Sequence, residues 1–168
     1  KGQIMSVEGL KDKAVMSSQE IIKDILEQLA PLNRNIVSDE FEESLRYLGK
    51  YINLKVHRYK TGTACWTWNV PPKWSIRDGY IRQDSKDIVS LKDHPLHVMS
   101  YSMPVQGAIK GSELLKHIYV HPVLPEAIPY EFSFYKRRWG FCLTHAQKNL
   151  IKEDQTYDVR IDSEFSDD

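Results

Sequence analysis

The sequence predicts an α+β fold in which two N-terminal helices pack with a mixed or antiparallel β-rich domain. Three observations predict it. The strongest helical periodicities come first in the chain, the later stretches alternate with period two or run as short aromatic segments, and no repeat, heptad or low-complexity tract competes with that reading. At 168 residues the chain is long enough to bury a core without metal or disulfide support. The expected organisation is a flexible N-terminus over 1–16, a helical segment with a first strand over 17–60, a β-rich domain over 61–150, and a return strand with an acidic tail over 151–168.

The first helix opens after Ser17 or Ser18, whose hydroxyl caps an orphan amide. Ile21, Ile22, Ile25, Leu26 and Leu29 then form an apolar stripe until Pro31 stops the run. Ser38 caps the second helix, with Phe41, Leu45 and Leu48 on one face and Gly49 at its end. Ile52, Leu54 and Val56 alternate with polar residues and predict a half-buried strand. Gly62 belongs to a turn that delivers the chain to Trp66. Tyr80 and Ile81 open a short strand, QDSKD is a solvated link, and Ile88 to Leu91 and Leu96 to Tyr101 are further strands, the second ended by Pro104 and Gly107. Ser112 is the expected cap of a short helix bearing Leu114, Leu115 and Ile118. Residues 122–129, rich in proline, are irregular; Tyr130 to Tyr135 reads as an aromatic strand, residues 139–145 as strand or turn, and Ala146 to Ile151 as helical. Tyr157, Val159 and Ile161 alternate in a last strand.

Lys plus Arg equal Asp plus Glu at 23 each, so the net charge carries no footprint of a nucleic-acid partner. No apolar run reaches membrane-spanning length, and the opening KGQIMSVEGLKDKAVMSSQ lacks the apolar core of a secretory leader. Cys65 and Cys142 lie far apart in aromatic, apolar surroundings that suit buried free thiols in a reducing compartment. These features together predict a cytoplasmic location.

The most distinctive stretch is ACWTWNVPPKWSIRDGYI, from Ala64 to Ile81. Period two turns Trp66 and Trp68 to one strand face, and Pro71 and Pro72 end that strand. The stretch is either an aromatic wall of the core closed by a rigid turn, or the side of a pocket to which Arg77 and Asp78 add polar groups. As neighbours on a strand those two would point to opposite faces.

Candidates for chemistry are sparse. His57, His94, His97, His117, His121 and His145 form no HExxH arrangement, and the cysteines form no CxxC. His97 beside Leu96 and Val98 suits a satisfied, half-buried ring. Cys142 and His145, three apart, are either a packed thiol followed by a hydrogen-bonding histidine or a thiolate–imidazole pair able to attack an acyl carbon. Arg34, in PLNRN, and Arg137 and Arg138, beside Trp139, are either structural anchors or guanidinium groups for a carboxylate.

These residues also carry a resemblance. PLNRNI with Arg34, the helix around Leu45 and Leu48, the turn Thr61 to Thr63, Trp68, Val70 and Pro71 are followed by WSIRDGYI with Trp74, Arg77, Asp78 and Tyr80. LHVMSYSMPV carries His97, Tyr101, Ser102 and Pro104; IPYEFSFY carries Pro129, Tyr130 and Tyr135; WGFCLTH carries Trp139, Gly140, Cys142 and His145; YDVRIDSEF completes the order. In this order the chain resembles the zinc aminopeptidase-like proteins of the domains of unknown function 4910 and 2172, some found beside polysaccharide-biosynthesis genes. The resemblance implies the start of an aminopeptidase-like domain over 17–60 and an inserted β-rich domain over 61–150, with the metal-binding positions beyond the last residue here. No metal ligand or cofactor is therefore expected in this chain, and zinc only where a partner chain supplies the site. Thr67 stands where the family usually has an aspartate beside Trp68.

Three functions follow as expectations. The first is an accessory or non-catalytic module that binds a peptide, an amino-acid-like ligand or a partner protein through Arg34, Trp68, Trp74, Arg77, Asp78, Tyr101, Tyr130 and Trp139. The second is a component of a composite hydrolase whose zinc-binding half is on a partner protein. The third is a stand-alone enzyme using Cys142, His145 and His97. No nucleic-acid or membrane partner is expected.

Overall fold

A computed structural model describes residues 16–167, so all but the last residue of the expected flexible N-terminus lies outside the described residues. The protein is α+β, with N-terminal helices followed by a β-rich domain. Helix α1 (Ser18–Leu29) starts in a capping box: the Ser17 N–H donates to the Glu20 carboxylate at 2.7 Å while the Glu20 N–H donates to Ser17 Oγ at 3.3 Å. Helix α2 (Asp39–Leu48) is capped by Ser38, which accepts from the Phe41 N–H at 3.2 Å, and closes at Gly49. The Tyr47 and Tyr51 hydroxyls both donate to Asp24, tying the end of α2 to α1. Both hydrogen bonds favour the ionised carboxylate, which lowers the Asp24 pKa. Leu29 is buried, but Ile22 and Leu26 remain 58% and 63% exposed, so the described residues leave much of the α1 stripe uncovered.

Beyond the helices the expected strand at Ile52 to Val56 is absent. The segment is irregular, and Ile52 and Val56 are exposed. Alternation makes a strand only where a neighbour offers ladder partners, and here none does. Strands β1 (Ala64–Cys65) and β2 (Trp68–Asn69) form a minimal hairpin whose two-residue turn puts Trp66 at φ 50°. Trp66 and Trp68 therefore do not share a strand face as expected. Trp66 is fully solvent-exposed and Trp68 is 42% exposed, so neither walls the core.

The main sheet is antiparallel, in the order β4-β3-β8-β5. Its strands are β3 (Lys73–Gln83), β4 (Lys86–Ser90), β5 (Val105–Lys110) and, after the elements described next, β8 (Thr156–Ser166). QDSKD is a tight hairpin turn between β3 and β4, with Asp84 and Ser85 both at positive φ. Strand β5 runs through Gly107, which therefore does not end a strand. The short helix α3 (Gly111–Leu114) begins after Lys110 with no side-chain cap, so the expected Ser112 cap is not formed. Strands β6 (Ile118–Val120) and β7 (Phe141–Leu143) pair in parallel, and α4 (His145–Lys148) follows a capping box of Thr144 and Gln147. Residues 96–101 are not a strand, because Pro95 sits at the start of a 3-10 turn over Pro95–His97. Val98 and Ser100 make only isolated bridges, to Phe141 and Phe132. The aromatic stretch Tyr130 to Tyr135 is likewise not a regular strand: it pairs only through that second bridge and bends at residues 134–136.

Period two decides which face of the sheet is buried. Tyr157, Val159 and Ile161 of β8 join Ile81, Val89, Val98, Leu114, Phe141 and Leu143 in the core, while Asp158, Arg160, Asp162 and Glu164 alternate on the other face. Gly79 makes room for this packing, since a Cβ there would lie 2.6 Å from Val98 Cγ2. The β3–β8 register shifts between Ile76 and Asp78, making Arg77 the extra residue of a bulge. Its guanidinium reaches Asp162 at 2.7 Å and Glu164 at 2.8 Å, while Asp78 Oδ1 accepts from the Gly79 N–H at 3.0 Å.

The two tryptophans separate burial from exposure. Trp74 is 1% exposed and its Nε1–H donates to the Ser102 carbonyl at 3.0 Å. Urea unfolding of Trp74→Ala is expected to show a loss of about 3–5 kcal/mol. Trp68→Ala, at an exposed position, is expected to cost less than about 1 kcal/mol.

Candidate ligand-binding site

The residues with the clearest potential to meet a ligand lie on the segment from Pro129 to Trp139, which bends at residues 134–136. Tyr130, Phe132 and Phe134 alternate along it, and their rings follow one another at centroid distances of 5.8 and 4.6 Å. On its inner edge the Ser100 N–H donates to the Glu131 carbonyl at 2.9 Å and the Ser133 N–H to the Ser100 carbonyl at 3.0 Å. The buried Ser133 hydroxyl donates to the Lys136 carbonyl, and Arg138 donates to Ser133 Oγ and the Phe132 carbonyl, both at 3.3 Å.

Beneath this segment lies Tyr101. It is fully buried, stacks on Trp74 at 5.8 Å, and meets Phe134 edge-on at 4.9 Å. Its φ of 63° is left-handed, a conformation an aromatic residue holds only when its surroundings over-determine it. Those surroundings are the adjacent Ser102, whose hydroxyl donates to the Met99 carbonyl at 2.7 Å and accepts from the Gly140 N–H at 3.2 Å. The Ser163 hydroxyl also donates to the Ser102 carbonyl, at 2.7 Å.

Two cavities open at the ends of the aromatic segment. One, of about 490 Å³, lies between the helical region and residues 94–100; Leu29, Phe41, Leu45, Leu48 and Leu96 supply apolar lining, and Arg34 and Tyr130 also line it. The Arg34 guanidinium makes no hydrogen bond or ion pair among the described residues. The other, of about 260 Å³, is lined by Pro72, Met103, Ser133, Phe134, Tyr135, Phe165, Lys136 and Arg137. Among the described residues no acidic side chain lines either cavity. A third, of about 630 Å³, includes Trp68; there Lys73 pairs with Asp39 at 2.6 Å and Arg58 with Glu42, and the acidic Asp39 and Glu42 line the cavity together with Lys60.

Arg34 and Tyr130 are thus brought together, while Trp68 lines a separate cavity and Trp74 and Tyr101 form the buried support behind the 260 Å³ one. Arg77 has its donors directed to carboxylates of the neighbouring strand, and Trp139 stacks on His117 at 3.7 Å. Of Arg34, Arg77, His97 and His145, only Arg34 lines any of these three cavities. Phe132, Phe134 and Lys136 were not singled out by sequence; the signal was the period-two Y-x-F-x-F run followed by KRR.

The acyl-transfer candidates engage other partners. His97 is buried and its Nδ1–H donates to the Cys142 carbonyl at 2.8 Å; His145 Nε2 lies 2.9 Å from the His121 carbonyl, so it is the donor there. Burial pushes the Cys142 thiol up to about 12, which keeps it protonated at neutral pH and weak as a nucleophile. Among the described residues no group of three or more His, Cys, Asp or Glu side chains is placed to hold a metal ion, so they offer no donor set for zinc. No helix among them is long and apolar enough to cross a membrane.

Comparison with known proteins gives three matches. Residues 73–164 match the family described as domain of unknown function DUF2172. A Clostridium acetobutylicum protein described as a polysaccharide biosynthesis protein with an aminopeptidase-like domain is 34% identical over 160 residues, covering 93% of this chain and 37% of its own length. A crystal structure described as a peptidase from the same organism superposes with a TM-score of 0.79 at 35% identity, covering 88% of this chain and 35% of that one. The chain therefore spans little more than a third of the curated relative it matches.

Two outcomes follow from these environments. A thiol reagent such as iodoacetamide is expected to modify Cys65 but not Cys142 in the folded protein, and both in denaturant, as read by intact mass. Burial lowers the His97 pKa, so the folded state binds its proton less readily than the unfolded state, which titrates near about 6.5. That contribution to stability is full above this value and is lost as pH falls through the lower folded pKa. Thermal midpoints are expected to decline from pH 7 to 5, and His97→Asn, which keeps an N–H donor, is expected to flatten the decline.

Proposed function

The chain belongs to the DUF2172 family, and from that membership we propose that it acts as an accessory, non-catalytic aminopeptidase-like module that binds a peptide or amino-acid-like ligand by its terminal carboxylate. The observation that carries this reading is the guanidinium of Arg34, unpaired among the described residues, which lines a cavity whose described lining is otherwise largely apolar and includes no acidic residue. A planar guanidinium matches a carboxylate with two parallel hydrogen bonds, and apolar walls suit the side chain next to it. The buried, high-pKa Cys142 thiol supports a binding role over thiol catalysis.

Titration calorimetry with acetyl-Phe-Leu tests the reading. The free acid is expected to bind at least about tenfold tighter than its C-terminal amide. Arg34→Gln is expected to reduce the acid to the level of the amide without shifting the unfolding midpoint. Equal binding of acid and amide to the unsubstituted protein would sink the proposal.

A second reading is a composite hydrolase. It is favoured by the 37% coverage of a relative described as having an aminopeptidase-like domain. Mixing this chain with the remainder of that relative is expected to yield aminopeptidase activity that neither part has alone.

A further inference from the structure

We infer that the ligand of the Arg34 cavity is an extended acidic peptide that crosses the aromatic face of residues 130–134 and sets a carboxylate side chain against Lys136 and Arg137. This rests on the carboxylate reading of Arg34 and adds the ligand's class, length and direction.

A series of ring contacts connects the two cavities. Tyr130 lines the Arg34 cavity and begins the ring sequence that Phe132 continues and Phe134 carries into the second cavity. Tyr130 and Phe132 are substantially exposed, although large rings gain most by leaving water.

The backbone points the same way. With Glu131 and Ser133 bonded inward to Ser100, the Phe132 N–H belongs to the opposite edge and has no partner among the described residues. The Phe132 carbonyl on that edge already accepts from Arg138 at 3.3 Å, so the N–H offers one main-chain hydrogen bond to the carbonyl of an extended peptide, whose side chains meet the alternating rings. This selects a peptide over other anions.

Charge sets the ends. Lys136 and Arg137 line the second cavity with side chains unpaired among the described residues, and neither cavity has an acidic lining residue to compete for them. A strand advances about 3.3 Å per residue, so a ligand matching the run from 130 to 134 needs about five residues. Its terminal carboxylate lies at Arg34 and its acidic side chain near the other end.

The test compares acetyl-Phe-Leu with acetyl-Glu-Phe-Gly-Phe-Leu by titration calorimetry on the full chain. The pentapeptide is expected to bind at least tenfold tighter. Replacing its Glu by Gln, or introducing Lys136→Glu with Arg137→Glu, is expected to remove most of that gain while dipeptide binding stays unchanged. The Gln peptide needs no protein variant, so it decides the matter even if the double variant does not fold. Dipeptide binding without a pentapeptide gain overturns this inference and leaves the Arg34 reading standing, as does a gain indifferent to the Glu. Failure of both probes to bind overturns the Arg34 reading and this inference with it.

Discussion

The antiparallel pairing of β3 with β8 holds the rest of the molecule in place. It joins Lys73–Gln83 to Thr156–Ser166, so the chain between them is a closed excursion that must leave and return to the same sheet. Closing so long a loop is entropically unfavourable, and the compensation comes from burying one face of both strands. Ile81 on β3 and Tyr157, Val159 and Ile161 on β8 supply that face. The solvent face contributes differently: the bulged Arg77 joins Asp162 and Glu164, and Arg160 reaches Asp162 at 2.7 Å, which together hold the Asp162 carboxyl below its usual range. Exposed pairs of this kind contribute little stability individually, and here their clearer effect is on register.

The excursion meets the sheet again through aromatic contacts. Trp74, near the start of β3, stacks on Tyr101, which also contacts Phe165 near the end of β8 and Phe134 in the aromatic segment. The left-handed backbone at Tyr101 costs about 1–3 kcal/mol, and the hydrogen bonds through Ser102 and Ser163 hold it there. Strain and packing at one residue thus locate the 130–137 segment relative to the sheet. Gly140 permits the close return, since a Cβ there would lie 2.5 Å from the Tyr119 ring.

Local features were legible in the sequence, and features made by distant partners were not. Both helix starts were readable because Ser17 with Glu20 and Ser38 with Phe41 settle their bonds within one turn. The β8 alternation was readable because its inner face is continuously buried. Ile52 to Val56 has the same pattern and no strand, since pairing depends on a neighbour that local sequence does not specify. Leu96 to Tyr101 has strand-like residues and no strand, because Pro95 favours a helical first turn and the left-handed Tyr101 closes the segment at its other end. Arg34 and Tyr130 were each candidates, but their shared cavity is formed by segments far apart in the chain. Lys136 stayed hidden beside two more conspicuous arginines.

Net charge was a poor guide to the site for a related reason. Equal numbers of acidic and basic residues argue against a large polyanionic partner, whose binding needs an extended excess of cations. They do not constrain a single carboxylate. In the folded protein many charges on the sheet and around the Trp68 cavity pair with one another, which screens them from ligands. Arg34, Lys136 and Arg137 stand apart from those pairs, beside aromatic rings and without acidic neighbours in their cavities. That local segregation is what the proposed carboxylate contacts rest on, because a carboxylate meeting these groups would displace water and no described protein carboxylate.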